Sequence, residues 1–285
     1  MTSRLFLPAL ALALVLTGCD TVGDSTDSLL PEDLEDAAGA IAQAVALDAG
    51  GALDDAATLA STFATEAVAK DGDSVPGRPG CESDRTYDDS GTWNVSISCE
   101  RGNPEGRFYH AFSREATWRF LDADGNPQEG RQGAVTVEHE ILSGTGTHIT
   151  PRSSAALESL TSDLTMTATG DNLVSTSGTA SRSGVHTVFG RGDAQREVDY
   201  ALTLDLEEVT GPPRRDRWAG AVSGSISGVY TATVTVTSPN GETRTREIDR
   251  SFTVTFPSDG TTNRRTRILI GGQRYEASPS TGELL

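Results

Sequence analysis

From residue 81 onward, apolar and polar residues alternate along most of the chain. The clearest segments are residues 164–168, 198–206 and 252–256, where every second side chain is apolar and mostly threonine or acidic residues lie between. Because residues two apart share one face of a β-strand, each segment predicts a strand with one buried and one exposed face. Successive strands of this kind predict a mainly β fold, a large antiparallel meander sheet of about ten strands over residues 81–285.

The longest alternation covers residues 218–237, where the even positions are apolar or glycine. A straight strand of this length would extend roughly 66 Å, whereas strands usually have about 3–10 residues. Gly220, Gly224 and Gly228 recur at every fourth position on the apolar face, where a missing side chain permits sharp bending. We therefore expect a strongly curved sheet or a barrel with an apolar concave side.

Turn-forming residues separate the expected strands, at residues 87–93, 121–127, 238–241 and 271–272. Residues 122–126 (Asp-Ala-Asp-Gly-Asn) faintly resemble a calcium-binding loop. They lack the later glutamate of that pattern, so we interpret them as a hairpin turn.

Before the strands, the apolar period changes to that of a helix, and it predicts two short alanine-rich helices within residues 31–70. Pro31 and the acidic residues after it favour the start of the first helix. The apolar positions of the two helices are Leu34, Ala38, Ile41 and Val45, then Ala56, Leu59, Phe63 and Ala67. Such small apolar faces predict helices that pack closely on the sheet.

The N-terminus carries an apolar run of twelve residues, 5–16, preceded by Arg4. A bilayer-spanning helix needs about 20 residues, so this run predicts a secretory signal peptide. It ends in Leu16-Thr17-Gly18-Cys19, which resembles the lipobox of bacterial lipoproteins at every position. The resemblance implies that residues 1–18 are removed and that Cys19 carries diacylglycerol and, often, an amide-linked acyl chain such as palmitate. The alternative is an ordinary signal peptide with a free Cys19.

The same resemblance implies a lipid anchor in a bacterial cell envelope, with the domain on the non-cytoplasmic side and the outer membrane favoured over the inner. Residues 19–30 would then form the lipidated start and an acidic tether. Only Cys81 and Cys99 remain, and exported cysteines commonly pair, so we expect a disulfide between them rather than two free thiols.

Charge narrows the choice of partners. The formal net charge is -18, and residues 20–73 hold 13 acids against one base, Lys70, which is also the protein's sole lysine. This balance argues against a nucleic-acid partner and against Schiff-base chemistry. We interpret the acids as a solvated, salt-adapted surface, with a cation-binding surface as the alternative.

Candidate chemistry is sparse. No P-loop, nucleophile elbow or zinc-protease motif is present, and we expect no cofactor and no metal. His139, between Glu138 and Glu140, is interpreted as a surface histidine. Four further features are interpreted as structural. We expect His110, His148 and His186 in strands, the tripeptide Arg191-Gly192-Asp193 in a turn, and the ladder Thr231, Thr233, Thr235 and Thr237 on a solvent-exposed sheet face. We expect the cluster Arg214-Arg215-Asp216-Arg217 in a solvated loop, and the alternative is that it docks an anionic partner.

These observations favour a non-catalytic, lipid-anchored envelope protein with a structural or interaction domain, bound to the membrane through its lipid and to an envelope protein partner. The alternative is a carrier that holds a hydrophobic ligand in the concave face. It resembles, in architecture only, the half-barrels that carry lipoproteins across the periplasm. An enzyme is the third hypothesis. What separates the first two is whether the helices fill the concave face or only cover it.

Overall fold

The fold was analysed in a computed structural model, which describes residues 30–47, 50–63, 81–170, 172–190, 194–256 and 265–285. The helices are α1 (Pro31–Val45), α2 (Ala52–Ala60), which runs into a 3₁₀ turn (Ser61–Phe63), and α3 (Arg215–Ala221). The strands are β1 (Cys81–Tyr87), β2 (Trp93–Gly102), β3 (Tyr109–Leu121), β4 (Pro127–Gln128), β5 (Thr136–Ile149), β6 (Ser153–Gly170), β7 (Leu173–Phe189), β8 (Gln195–Gly211), β9 (Ser223–Thr237), β10 (Thr243–Phe256), β11 (Thr266–Ile270) and β12 (Gln273–Ala277).

All twelve strands belong to one antiparallel sheet, so the predicted meander is confirmed. Each strand pairs with the next along the chain, except that β5 pairs directly with β3 and the short β4 lies beside β3. The expected number of about ten strands is slightly low, because β4 has only two residues and cannot show an alternation. Strand β1 pairs only with β2 and β12 only with β11, so the sheet is open and the barrel alternative is wrong.

The helices pack on one side of the sheet, which we call the inner face; it carries Leu204, Tyr230 and Phe252, and the other side is the outer face. Helix α1 packs mainly on β9, β11 and β12, and α2 on β6 and β7. The side chains of Ile41 and Leu53 are 0% exposed. The helices therefore form a packed core with this part of the inner face.

Alanine accounts for the close approach of the helices. Ala37, Ala38, Ala56 and Ala57 are all 0% exposed and belong to the same apolar cluster as the sheet residues. A methyl group lets the helix backbone lie near the strands, and the larger side chains of the sheet fill the remaining space. The predicted apolar position at Ala67 lies outside the described residues, whereas Phe63 packs against the core as expected.

The segment predicted as one strand over residues 218–237 divides into two elements. Helix α3 takes up its first residues, and β9 begins at Ser223. The side chain of Trp218 is 0% exposed, and its indole Nε1 donates a hydrogen bond of 2.6 Å to the carbonyl oxygen of Pro212. Because Trp218 reaches this site from a helical turn, the even spacing of apolar residues before 223 is not strand periodicity.

Two of the three glycines predicted to permit bending lie in β9, whereas Gly220 lies in α3. A Cβ atom at Gly228 would overlap the carbonyl oxygen of Thr203 and the ring of Phe252. Gly224 has a φ of +108° and lies beside the irregularity in the β8–β9 register between Glu207 and Thr210. These two positions thus allow β9 to bend where it meets β8.

The expected disulfide is present. Cys81 and Cys99 are opposite each other in the β1–β2 register, with their Cα atoms 4.0 Å apart. They lie on the inner face near the edge of the sheet, where β1 has a neighbour on one side only. The bond therefore ties the edge strand to the rest of the fold.

Replacing both cysteines by serine should lower the free energy of unfolding by about 3 kcal/mol, because the closed loop spans 18 residues and its entropy loss in the unfolded chain disappears. Urea denaturation of the variant and of the wild type measures this difference. The matched control is the wild type under reducing conditions, which should unfold at the same urea concentration as the variant. Unchanged unfolding of the wild type on reduction would contradict the expectation.

Candidate functional site

The two faces of the sheet carry opposite charges. Strand register and alternation place the acidic residues of the strands on the outer face, apart from Glu158 and Glu208 at β-bulges. The outer-face acids are Glu82, Asp84, Glu100, Glu115, Glu138, Glu140, Asp163, Glu197, Asp199, Asp205, Glu207, Glu247, Asp249 and Glu276. The Thr231–Thr237 ladder lies on this face too, as predicted.

The inner face carries arginine and histidine instead. Its arginine and histidine residues are Arg85, Arg101, His110, Arg114, His139, His148, Arg182, His186, Arg196, Arg244, Arg246 and Arg250. Within the described strands, no acidic residue with regular alternation shares this face. Cations beside an apolar core are costly unless an anion accompanies them, so the partners have to come from other elements.

Asp33, at the third position of α1, is the most deeply buried of these partners. Its carboxylate is 0% exposed and accepts hydrogen bonds from Arg196 Nη2 at 3.0 Å and Arg246 Nη2 at 3.1 Å. It also accepts the backbone N–H of Leu30, the residue before the helix, at 3.1 Å. One carboxylate therefore fixes the start of α1 to both β8 and β10.

Arg196 stays charged. Burial opposes the charge on Arg196, but the hydrogen bonds that it donates to Asp33 and the nearby Asp36, together with the negative charge of both carboxylates, outweigh burial and raise the pKa of the guanidinium. Asp36 and Glu32 form further ion pairs, with Arg196 and Arg246 respectively. Both of these carboxylates are half-exposed or more, so they contribute less than Asp33.

Helix α2 repeats the arrangement on the other side of the core. Asp55, which is almost buried, pairs with Arg114 of β3 at 2.7 Å. Asp54 pairs with Arg215 of α3 at 2.6 Å, so part of the Arg214–Arg217 cluster neutralises a helix acid rather than lying in a solvated loop. The interpretation of these helix acids as a solvated surface is wrong for Asp33 and Asp55.

His139 is buried, and its interpretation as a surface histidine is wrong. It lies on the inner face with 5% of its surface exposed, and its ring meets that of Trp118 edge-on at 5.1 Å. Its Nδ1 has no hydrogen-bond partner among the described residues. Burial lowers the pKa of His139 to about 4, so the ring is neutral at pH 7. Glu138 and Glu140 lie on the opposite face, as expected, and cannot assist it.

The other three histidines form a line across the sheet with two arginines. Successive register partners place Arg101, His110, His148, His186 and Arg246 in one row of the inner face, with Ala155, Val198 and Val234 between them. We call these five ionisable residues the basic row. The rings of His110 and His148 are 5.7 Å apart. Helix α1 covers the end of the basic row at Arg246.

The opposite end of the basic row remains accessible together with apolar neighbours. Arg101, His110, His148 and His186 are exposed, and the adjacent Phe112 and Leu157 are half-buried. We call these six residues the uncovered patch. Burial lowers the pKa of His110, and the nearby His148 lowers it further. Burial also lowers the pKa of His186, although Asp36 opposes this shift.

Three further predictions concern the loop at Asp122, the lipid attachment at Cys19 and the turn at residues 191–193. The Asp122 carboxylate accepts backbone N–H groups from Asp124 and Asn126 at 2.9 and 2.8 Å, which closes a hairpin turn as expected. Cys19 and residues 191–193 lie outside the described residues. No helix in the described part of the chain is long and apolar enough to cross a membrane. Nor do the described residues contain a group of three or more histidine, cysteine or acidic side chains placed to hold a metal ion.

Comparison with protein-family models, with curated proteins and with solved structures finds no match. What the arrangement can do must therefore be inferred from its chemistry. The inner face binds carboxylates through Arg196 and Arg246 at one end of the basic row, and the other end offers an arginine and histidines next to apolar side chains. This combination is chemically suited to an anion that carries an apolar body.

Replacing Asp33 by asparagine should lower the free energy of unfolding by about 3–5 kcal/mol, because Arg196 and Arg246 would lose the buried carboxylate between them. Asp36→Asn is the matched control. It removes a carboxylate that is 48% exposed from the same arginine and should cost less than about 1 kcal/mol. Urea denaturation at pH 7 measures both, and equal losses in the two variants would refute the role assigned to Asp33.

The burial of His139 predicts a specific acid sensitivity. Its folded-state pKa of about 4 lies below the unfolded value of 6.5, so the unfolded chain takes up the proton first. Stability is therefore full above pH 6.5 and falls as the pH drops from 6.5 towards 4, by about 3 kcal/mol from this group. Urea denaturation of the wild type and of His139→Leu should show that the wild type loses about 3 kcal/mol relative to the variant as the pH falls across this window. Parallel curves would contradict the expectation.

Proposed function

We propose that this protein is a lipid-anchored protein of the bacterial cell envelope whose β-sheet domain acts by binding rather than by catalysis. The observation that carries the proposal is the charge of the inner face. It is basic and apolar throughout, part of it is neutralised by the protein's own helices, and the uncovered patch is left accessible.

The anchor rests on the resemblance of residues 16–19 to a lipobox and on where the fold begins. Ten residues separate Cys19 from Leu30 and reach at most about 40 Å when fully extended. Two or three acyl chains on Cys19 would bind the membrane stably, at about 0.8 kcal/mol per buried CH₂. The domain would then stay close to the surface of the membrane, which we propose to be the outer membrane, on its non-cytoplasmic side.

A binding role is favoured over catalysis by the surroundings of the histidines. His110, His148 and His186 share their face with arginines, whereas the strand acids that could orient them point to the outer face. A general base needs such an orienting partner, and His139 is both buried and neutral.

Two kinds of ligand fit this role. An envelope protein could dock on the uncovered patch, or the sheet could carry a hydrophobic ligand. The packed core beneath α1 and α2 argues against a cavity under the helices. The half-buried Phe112 and Leu157 support the carrier hypothesis at the uncovered patch, because they offer apolar surface to a hydrophobic ligand.

The anchor is tested by replacing Cys19 with alanine in the native host. The wild type should incorporate radiolabelled palmitate, sediment with the envelope and have a mature mass that begins at Cys19 with added acyl groups. The variant should lose the label, since no thiol is available for the acyl group. Cys81→Ser/Cys99→Ser is the control and should keep the label. A wild-type protein without palmitate would refute the anchor.

A further inference from the structure

A strip of apolar side chains leads to the basic row on the inner face. On β2, the residues Val95, Ile97 and Cys99 follow Trp93 at every second position, and the series ends at Arg101. From Trp93 to Arg101 the strip extends about 26 Å along the strand. On the neighbouring β3, Phe112 precedes His110 in the same direction. The strip is thus apolar along β2 and cationic at Arg101, while Arg85 and Arg114 flank it on the neighbouring strands, and Arg114 is already paired with Asp55 of α2.

Helix α1 shows what binds to this kind of surface. Its acidic residues are confined to positions 32–36, and those that pair with the sheet do so with Arg196 and with Arg246 in the basic row. The rest of the helix is apolar apart from the exposed Gln43, and most of its apolar side chains are buried. The ligand already present in the fold therefore has an anionic end at the basic row and an apolar body on the sheet.

At the other end of the basic row, the described chain supplies hydrogen-bond donors but no carboxylate that pairs with them. Among the described residues, no carboxylate pairs with Arg101, His110 or His148. Asp36, which lies near His186, is bound to Arg196. A guanidinium and two imidazoles beside apolar side chains complement a phosphate or carboxylate group joined to a hydrocarbon chain.

We propose that the uncovered patch binds an anionic amphiphile drawn from the membrane, with its phosphate or carboxylate head at Arg101, His110 and His148. Its alkyl chain lies along Phe112 and Ile97. This inference rests on the proposed binding function, and it names the class of ligand for the carrier hypothesis. It places the ligand beside the helices instead of beneath them.

The length of the tether favours a lipid over an acidic peptide as the occupant. With Cys19 as anchor, the ten residues between Cys19 and Leu30 reach at most about 40 Å. The domain would then stay close to the membrane, where amphiphiles are concentrated.

The test uses the chain from Asp20 onward, which contains every described residue, with its disulfide formed. The probes are dodecyl phosphate, dodecyl maltoside and dodecyltrimethylammonium below their micelle concentrations, and inorganic phosphate. Trp93 and Trp118 are register partners beside the apolar strip and report binding by fluorescence. Dodecyl phosphate should shift their emission and bind about tenfold more tightly than the maltoside, because it adds charge-assisted hydrogen bonds. Inorganic phosphate should bind far more weakly, because it lacks the chain.

The double variant Arg101→Gln/His148→Gln should bind dodecyl phosphate about tenfold more weakly and dodecyl maltoside unchanged. Arg267→Gln is the matched control, because Arg267 is an exposed arginine on the outer face of β11. It should leave both affinities unchanged, and both variants should keep the wild-type circular dichroism.

Equal affinity for the three head groups, an equal loss in the control variant, or equally tight binding of inorganic phosphate would overturn the proposal. So would unchanged tryptophan emission with every probe. If no probe binds, the double variant separates two other occupants. A lower free energy of unfolding in the variant would indicate that another segment of this chain, such as residues 64–80, occupies the patch. Dissociation of a dimer by the variant would indicate a second copy of the chain. None of these results depends on the lipid at Cys19, so the anchor is judged separately by palmitate labelling.

Discussion

The fold depends on one buried carboxylate, that of Asp33, held between two arginines of the sheet. Strand alternation places arginines on the inner face, and no acid in the regular part of a described strand shares that face with them. Such a face cannot pack against an apolar layer unless that layer brings anions with it. Helix α1 supplies them through Asp33 and α2 through Asp55, while their alanines and leucines supply the apolar contact. Helix and sheet are therefore complementary in charge as well as in shape.

This complementarity changes the meaning of the acidic N-terminal region. Six acids in α1 and α2, Glu32, Asp33, Glu35, Asp36, Asp54 and Asp55, precede a sheet whose regularly placed strand acids lie on its far side. Solvation accounts for the acids of the outer face, which lie beside hydroxyl groups. It does not explain Asp33, which is fully buried and has three hydrogen-bond donors. The same excess of negative charge thus has two separate physical origins, solvation on one side of the sheet and pairing on the other.

The sequence predicted what depends on neighbours along the chain. Alternation revealed the strands, the paired cysteines the disulfide, and helical spacing α1 and α2. It failed where short patterns are ambiguous: Trp218 continues an even spacing into β9 but occupies a helical turn, because its indole is fixed by Pro212. It also failed for contacts set by register over long distances. Asp33 and Arg246 are 213 residues apart, and nothing local in either segment identifies the other. The alternation of each strand does place its histidines and arginines on the apolar side, and that signal could have identified the inner face as basic.

The open sheet explains why part of the basic row is accessible. A closed barrel would enclose its arginines, and their neutralisation would have to come from the barrel itself. An open sheet instead exposes one face that separate elements can share. Here α1 takes the Arg246 end, and the β1 edge is secured by the Cys81–Cys99 bond and by charged side chains that discourage pairing with another strand. What remains between them carries an arginine and histidines beside apolar side chains. Since α1 binds with its anionic end at the row and its apolar body on the sheet, the physical rule that assembles this part of the fold also supports the proposed ligand class.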